Sequence, residues 1–429
     1  MNNLYNPLKL STYRELFLTK RILVVGAGAV GTGVCENAVK MGFSVDTADF
    51  DTFTAENAAK HCCLVRTPED VGKNKAKCVS ERMKVYLDDG CTSNGIDTDL
   101  CMLGPEAIAQ YDAVVLCLDN YGAKMLFNDI WLQIPPERRP VVLMDGTYNE
   151  SAQSVMLDGK EFCLDCLMDN SWIKDAAVKT SCTGPKVRVI DGKSEIVRTT
   201  GLASSVAANL TCEQLRAYIT GNKDCMNKMI SYTAYPNFEV FAAKPMRKKN
   251  CRCHKQAYPD SITYIDASVI DTSLDKALKL MEEKLGTDKF ELQVHPITIN
   301  NELFCGFIEE DVCRCCGKPI SVMRHESRVY LHELVCEDCR KEGKTAVDSP
   351  LYIHKKPLYA FTSDCSEQVK SKTLFALGYP LGSYINVTQR NGEASFLDGN
   401  IKTTVFAFGK DGEKMHSVKA LRRNGDVEE

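Results

Sequence analysis

Residues 21–53 read RILVVGAGAVGTGVCENAVKMGFSVDTADFDTF, and their order decides the fold. An apolar run at Ile22–Val25 leads into Gly26, Gly28 and Gly31, followed by helical spacing to Lys40. A second apolar run then ends in Asp49 and Asp51. Strand, glycine turn, helix, strand and acid, in that order, make a nucleotide-binding βαβ unit. The glycines let the backbone approach a phosphate, and the helix N-terminus offers free N–H groups and a positive dipole end. The stretch by itself does not distinguish a redox dinucleotide from ATP.

Working outward, residues 21–150 alternate apolar strand runs (RILVVG, FSVDTAD, AVVLCLD, PVVLMDG) with helical patterns near 29–40, 74–87 and 121–133. Strands of this kind, separated by helices, predict a doubly wound, mostly parallel sheet covered on both faces. A short leading helix is expected within 11–20, a small-residue helix over 199–221 ending at Gly221, and another over 267–286. After residue 300 the character changes. Residues 300–345 are cysteine-rich, and 346–409 alternate apolar and polar residues in strand fashion.

The chain of 429 residues is long enough for two or three domains. With 53 basic and 57 acidic residues, long-range charge gives no argument for nucleic acid or an anionic membrane. The N-terminal stretch does not read as a signal peptide, and no apolar run approaches the roughly 20 residues needed to span a bilayer. A soluble, cytoplasmic protein is therefore expected. The 21 cysteines then belong to a reduced chain. Cys35, Cys62, Cys63, Cys117 and Cys212 sit in apolar patterns and are expected to be small buried hydrophobes.

Beyond the acid pair come Asn57, Lys60 and Lys75, and a later buried strand empties into Asp119 in LCLDN. Cations and an amide placed there suit departing pyrophosphate, and a carboxylate at that strand end suits Mg²⁺. An NAD-dependent oxidoreductase would explain the glycines and Asp49 but not Asn57, Lys75 or Asp119. The set favours ATP.

Gly26-x-Gly28-x-x-Gly31, Asp49-Phe-Asp51, Asn57, DVGKNKA and LDN together resemble the adenylating domain of the E1/ThiF/MoeB superfamily, over roughly residues 10–255. The resemblance implies ATP with Gly26, Gly28 and Gly31 around the phosphates and Asp49, with Asp51 beside it, at the ribose. It places Asn57, Lys60 and Lys75 on the phosphates and Asp119 on Mg²⁺. The family's Asn-x-x-Arg-Gln is here Asn57-Ala-Ala-Lys60-His61, and its arginine after the Asp-Asn pair is Lys124. Lysine keeps the charge but loses the planar fork. The N-terminal Arg-Tyr-x-Arg-Gln opening is missing, and Arg14 and Arg21 are the nearest arginines.

Cys163 and Cys166, answered by Cys251 and Cys253 or His254, suit the structural zinc that family members often carry. Cys313-x-x-Cys316 and Cys336-x-x-Cys339, nineteen residues apart, have the spacing of a closed zinc ribbon, with Cys315 as the neighbour left over. Cys182, in KTSCTGPK between lysines, resembles the thioester-forming cysteine of ubiquitin-type E1 enzymes. The basic cluster at 244–255 reads as a solvated flank of the first cysteine set.

The resemblance implies an adenylation domain over 1–255, and the residues beyond it read as a helical connector over 256–300, a zinc ribbon over 301–345 and a small β-rich region over 346–429. It implies an enzyme of bacterial type that adenylates the C-terminus of a ubiquitin-like protein. Cys182 would then accept the acyl group and pass it to an E2-like partner. Family members are commonly homodimers. Activation of a sulfur-carrier protein, or a scaffold without turnover, are the other readings.

Overall fold

The computed structural model describes residues 13–55, 57, 69–148, 150–167, 186–190, 193–197, 200–234, 237–248, 251, 258–299, 302–329, 333–345, 357–390, 401–421 and 427–428. The chain divides into two compact units. One is Met1–Leu100 with Ile108–Tyr258, and the other is Cys101–Ala107 with Pro259–Glu429.

In the first unit, α1 (Arg14–Leu18) leads into β1 (Arg21–Val25), α2 (Ala29–Met41) and β2 (Ser44–Ala48). There follow α3 (Lys75–Met83), β3 (Ser93–Ile96), β4 (Ala113–Leu116), α4 (Tyr121–Gln133), β5 (Val141–Tyr148) and β6 (Ser151–Leu157). A separate hairpin, β7 (Lys186–Ile190) with β8 (Lys193–Val197), precedes α5 (Gly201–Ile219), β9 (Lys228–Thr233) and β10 (Glu239–Ala243). The main sheet has the order β10-β9-β6-β5-β4-β1-β2-β3. Strands β3, β2, β1, β4 and β5 are parallel, as the sequence predicts. β6, β9 and β10 extend that sheet in antiparallel fashion, which the sequence reading did not foresee.

Burial explains the parallel part. Ile22, Val24, Val45, Ala113, Val115 and Leu143 pack in one apolar cluster with Val34, Cys35 and Ala38 of α2 and Ala208, Cys212 and Leu215 of α5. A Cβ on Gly33 would lie 3.0 Å from the Ala208 Cβ, so glycine lets the two helices approach closely. Each helix stops where local chemistry stops it. Gly42 ends α2 in the left-handed region at φ 105°, and Asn120 and Thr200 cap α4 and α5 by accepting backbone N–H bonds. The expected core cysteines Cys35 and Cys212 are buried, Cys117 is half-buried, and Cys62 and Cys63 lie outside the described residues.

The second unit contains β11 (Ile262–Ile265), α6 (Leu274–Leu285) and β12 (Phe290–Gln293). It continues with a hairpin of β13 (Ile297–Ile299) and β14 (Glu302–Phe304), and a second of β15 (Phe307–Val312) and β16 (Pro319–His325). β17 (Ala360–Phe361), β18 (Ile385–Arg390) and β19 (Ile401–Phe408) complete it, and its mixed sheet runs β11-β19-β18-β12-β17. α6 starts seven residues later than periodicity alone suggests, because Ser273 caps it by accepting the Lys276 N–H. Leu274, Ala277, Leu278 and Met281 are its buried face.

Residues 101–107 join this unit through backbone pairing. Leu381 N donates to Met102 O at 2.9 Å and Gly104 N to Leu381 O at 2.7 Å. The approach is so close that a Cβ on Gly104 would meet Ser383 N at 2.5 Å. Among the described residues no helix is long and apolar enough to cross a membrane.

His325, the last residue of β16, is fully buried, with Nδ1 2.7 Å from Ser327 Oγ and Nε2 2.9 Å from the His295 carbonyl. Burial and the Arg328 charge push His325 down to about 3 and His295 down to about 4. Unfolding returns both to the usual histidine value near 6.5. Between pH 6.5 and 4 the unfolded chain therefore binds the extra protons, and stability falls as pH falls. Buried Asp411, raised to about 6, acts in the opposite sense between about 6 and 3.8, but it is one group against two. We expect the melting temperature of this unit to drop as pH is lowered from 6.5 to 4.5. His325→Gln should flatten that slope, as read by fluorescence melts across the series.

Candidate functional site

The parallel strands diverge between β1 and β4, since β2 follows β1 on one side and β4 lies on the other. Open α/β sheets bind ligands outside the carboxyl ends of the strands at such a point. Gly26 ends β1 there with φ 97°, and its N–H donates to Ala48 O at 2.8 Å. A Cβ on Gly26 would lie 2.5 Å from Cys117 O, and one on Gly31 would lie 1.9 Å from Gly26 O. Both glycines are therefore required by the turn itself. Gly28, the residue before α2, has nothing within 4 Å of where its Cβ would be. Its open face leaves the first N–H groups of α2 accessible to an anion, the shape a phosphate fits.

The acids at the end of β2 brace this turn. Asp49 Oδ2 accepts the Ala27 N–H at 2.7 Å and Oδ1 accepts the Asp51 N–H at 2.8 Å. Each oxygen keeps a further lone pair for a ribose hydroxyl. Burial raises the Asp49 pKa, opposed by the charge of Lys75 and by those two N–H donors. Lys75, read from sequence as a cation facing phosphates, is only 2% exposed. Its Nζ lies 2.9 Å from Asp51 Oδ2, and its backbone N–H donates to Asp51 O at 2.8 Å. Asn74 stitches the same loop, donating to the Asp49 and Asp51 carbonyls at 3.0 and 3.3 Å while capping α3.

Asn57 is buried and accepts the Thr54 N–H at 2.9 Å, so it shapes its own turn. Asp119 is exposed at the end of β4, set by the turn in which Asn120 caps α4. Lys60, Cys182, Cys253 and His254 lie outside the described residues. Arg14 and Arg21 are bound elsewhere, Arg14 to Asp88 and Arg21 to Asp46. Gly26, Gly28, Gly31, Asp49, Asp51 and Lys75 thus meet in one place.

Two residues lie at this crevice that the sequence did not assign to it: Cys117, expected only as a buried hydrophobe, and Asp145. Cys117, one residue past β4, is hydrogen-bonded to Asp145, and its thiol pKa is pushed far up by burial and by that carboxylate. Asp145, 5% exposed, is raised to about 6 by burial. Its signal was present: an acid ending the apolar run VVLMDG, the same pattern that marks Asp119 in VVLCLD.

Two cysteine sets are gathered as metal sites require. The sulfurs of Cys313, Cys316, Cys336 and Cys339 lie within 4.8 Å of one another, as do those of Cys163, Cys166 and Cys251. Cys316 and Cys336 are 3.6 Å apart, Cys163 and Cys251 3.5 Å, and Cys163 and Cys166 4.0 Å. A tetrahedron with metal–sulfur bonds of about 2.3 Å has edges of about 3.8 Å, so both sets fit one ion. Cys315 lies beside this set, its thiol hydrogen-bonded to Cys313 and Cys339 and 3.5 Å from the Thr345 carbonyl.

The ThiF family model matches residues 6–255. The SUMO-activating enzyme subunit 2 of Dictyostelium discoideum is 30% identical over 151 residues, 34% of this chain and 22% of that protein. The NEDD8-activating enzyme E1 catalytic subunit of Caenorhabditis elegans is 24% identical over 166 residues, 36% of this chain and 38% of the relative. An ATP-dependent ubiquitin transferase-like protein, Cap2, of Enterobacter hormaechei subsp. hoffmannii (strain UCI 50) is 28% identical over 111 residues. That match covers 24% of this chain and 17% of Cap2. The match thus spans well under half the length of each of these relatives. Among solved structures, E. coli MccB with ATP has a TM-score of 0.43 at 16% identity, covering 56% of this chain and 68% of MccB.

The glycines make opposite demands, which substitution should expose. Gly31→Ala drives a Cβ into the Gly26 carbonyl and should cost more than about 2 kcal/mol, whereas Gly28→Ala should stay within about 0.5 kcal/mol. Denaturant melts of the two variants check this.

Proposed function

The chain belongs to the ThiF family, and from that premise we propose that it is an E1-like adenylyltransferase acting on the C-terminus of a ubiquitin-like protein. The observation that carries this reading is the glycine turn with its open Gly28 face beside Lys75, a buried ammonium held by Asp51. A buried lysine paired to an acid that phosphate can replace suits a triphosphate far better than a nicotinamide dinucleotide, which brings no charge change at its phosphates.

The residues divide the work. Gly26, Gly28 and Gly31 let the backbone close on phosphate, and the first N–H groups of α2 stabilise its charge. Asp49 binds ribose hydroxyls while holding the turn through Ala27. Lys75 exchanges Asp51 for phosphate oxygens, with Lys60 and Asn57 supporting them. Asp119 holds Mg²⁺, which supplies charge neutralisation on the triphosphate. The carrier's terminal carboxylate displaces pyrophosphate from the α-phosphorus. Cys182 then takes the acyl group as a thioester for an E2-like partner. Zinc in the two cysteine sets is structural: four thiolates fill the one site, and Cys253 or His254 would complete the three of the other, leaving no position for water. We place the protein in a bacterial cytoplasm as a homodimer, a reducing setting in which those thiols persist. A sulfur-carrier activator would share every step up to the adenylate.

Pyrophosphate exchange with a candidate ubiquitin-like protein tests the assignment. Asp119→Ala should abolish exchange, and Lys75→Ala should lower it by about 10²-fold or more. Cys182→Ala should spare exchange but remove a thiol-sensitive protein adduct. Exchange unchanged in Asp119→Ala would sink the site. Elemental analysis should find about two zinc ions per chain. Cys316→Ser and Cys163→Ser should each lose one of them, and zinc retained in both variants would refute the structural role.

A further inference from the structure

The ribbon cysteines have a fifth sulfur beside them. Cys313, Cys316, Cys336 and Cys339 gather as one metal site, and Cys315 lies between the first two in sequence without joining the set. Its thiol is nevertheless hydrogen-bonded to two of the four, Cys313 and Cys339, and lies 3.5 Å from the Thr345 carbonyl. Cys315 is half-exposed and Cys316 exposed, so solvent reaches this side of the set. The Cys339 sulfur, within 4.8 Å of the Cys316 sulfur, is itself buried just behind it.

A closed zinc site takes four ligands, and serine or alanine at position 315 would leave all four in place. A thiol held against metal thiolates is instead placed to capture an oxidised sulfur, because a sulfenic acid condenses with a neighbouring thiol to a disulfide. Of its two partners, Cys313 is two residues away, where a bridge would close a small strained ring. Cys339 comes from the second cysteine pair and escapes that constraint. The effect of such a bridge is large because little else holds this part of the chain. Among the described residues its apolar cluster is Cys313, Val335 and Cys339, with Cys315, Ile320 and Cys336 packed on it. Two of the three buried members are ligands, so metal binding supplies much of the folding free energy here.

We propose that Cys315 is a redox modification site, the resolving thiol through which hydrogen peroxide opens the ribbon and discharges its zinc. The proposal rests on the zinc reading of this set and is independent of the nucleotide site. The Cys339 thiolate attacks one peroxide oxygen: an S–O bond forms, the O–O bond breaks and hydroxide leaves. The Cys315 sulfur then attacks the sulfenic sulfur of Cys339. The S–S bond forms, the S–O bond breaks, and the hydroxyl departs as water with the Cys315 proton. The two sulfurs have together lost two electrons to peroxide, and three ligands remain. In a reducing compartment such a bridge is transient, the form that redox-sensing disulfides take there.

Zinc release from the full chain, followed with a chromogenic chelator as hydrogen peroxide is added, tests this. Mass mapping of alkylated peptides tells which cysteine set has opened. Before oxidation, wild type and Cys315→Ser should hold the same zinc, because Cys315 is not a ligand. With peroxide, the wild-type ribbon should open about tenfold or more faster than that of Cys315→Ser, and a Cys315–Cys339 disulfide should appear with it. Cys315→Ala should match Cys315→Ser, which separates the missing thiol from a hydroxyl that keeps its hydrogen bonds. Dithiothreitol and added zinc should restore the wild-type site. Equal opening rates in wild type and both variants overturn the proposal, as does Cys315 still alkylated as a thiol after release, or zinc lost from the unoxidised variants. If Cys316→Ser holds as much zinc as wild type, the zinc reading of the ribbon falls with it.

Discussion

The first unit depends on one steric constraint, the pressing together of two strand ends at the point where the sheet changes direction. Gly26 must pass within 2.5 Å, measured from its absent Cβ, of the Cys117 carbonyl, and Gly31 must tuck under the Gly26 carbonyl. Only hydrogen fits at either place. Once the turn is that tight, the N-terminus of α2 opens outward above the sheet and its free N–H groups meet at Gly28. Asp49 then locks the turn from the neighbouring strand through the Ala27 N–H. The helix α2 is also set in depth by Gly33 against Ala208 of α5. An open helix N-terminus at this point is thus a by-product of how β1 and β4 are packed.

How far the sequence shows this depends on whether the signal is local. Parallel strands buried on both faces leave continuous apolar runs, and RILVV and AVVL are legible for that reason. β9 and β10 are not, because KMISYT and EVFAA lie at the sheet edge, largely exposed or half-buried, and carry neither a run nor a clean alternation. The membership of 101–107 in the second unit is invisible in principle. It rests on backbone approach between glycines at 104 and 382, and nothing near either glycine in the sequence announces the other.

The site shows the same division. The glycines and acids were legible because the turn needs particular residues at fixed spacing. The burial of Lys75 was not, because its partner Asp51 is twenty-four residues away and only the folded loop sets them side by side. Asn74, a helix cap by local pattern, is also the donor that ties two carbonyls of the acid loop, and one sequence position cannot advertise two jobs. Asp145 is concealed differently: its strand reads as core, so the carboxylate looks like the end of a run.

Together, these charges say what the crevice is built to do. The Lys75–Asp51 pair adds little to stability, since desolvating the lysine offsets much of its attraction to an acid that stays partly exposed. What it provides is a cation already stripped of water and fixed beside the glycine turn, where reorganisation on ligand binding is small. Asp49 raised by burial and Asp145 raised by burial tell the same story from the anionic side. Buried charges of both signs beside an open helix N-terminus are groups that phosphates and a counter-ion would satisfy.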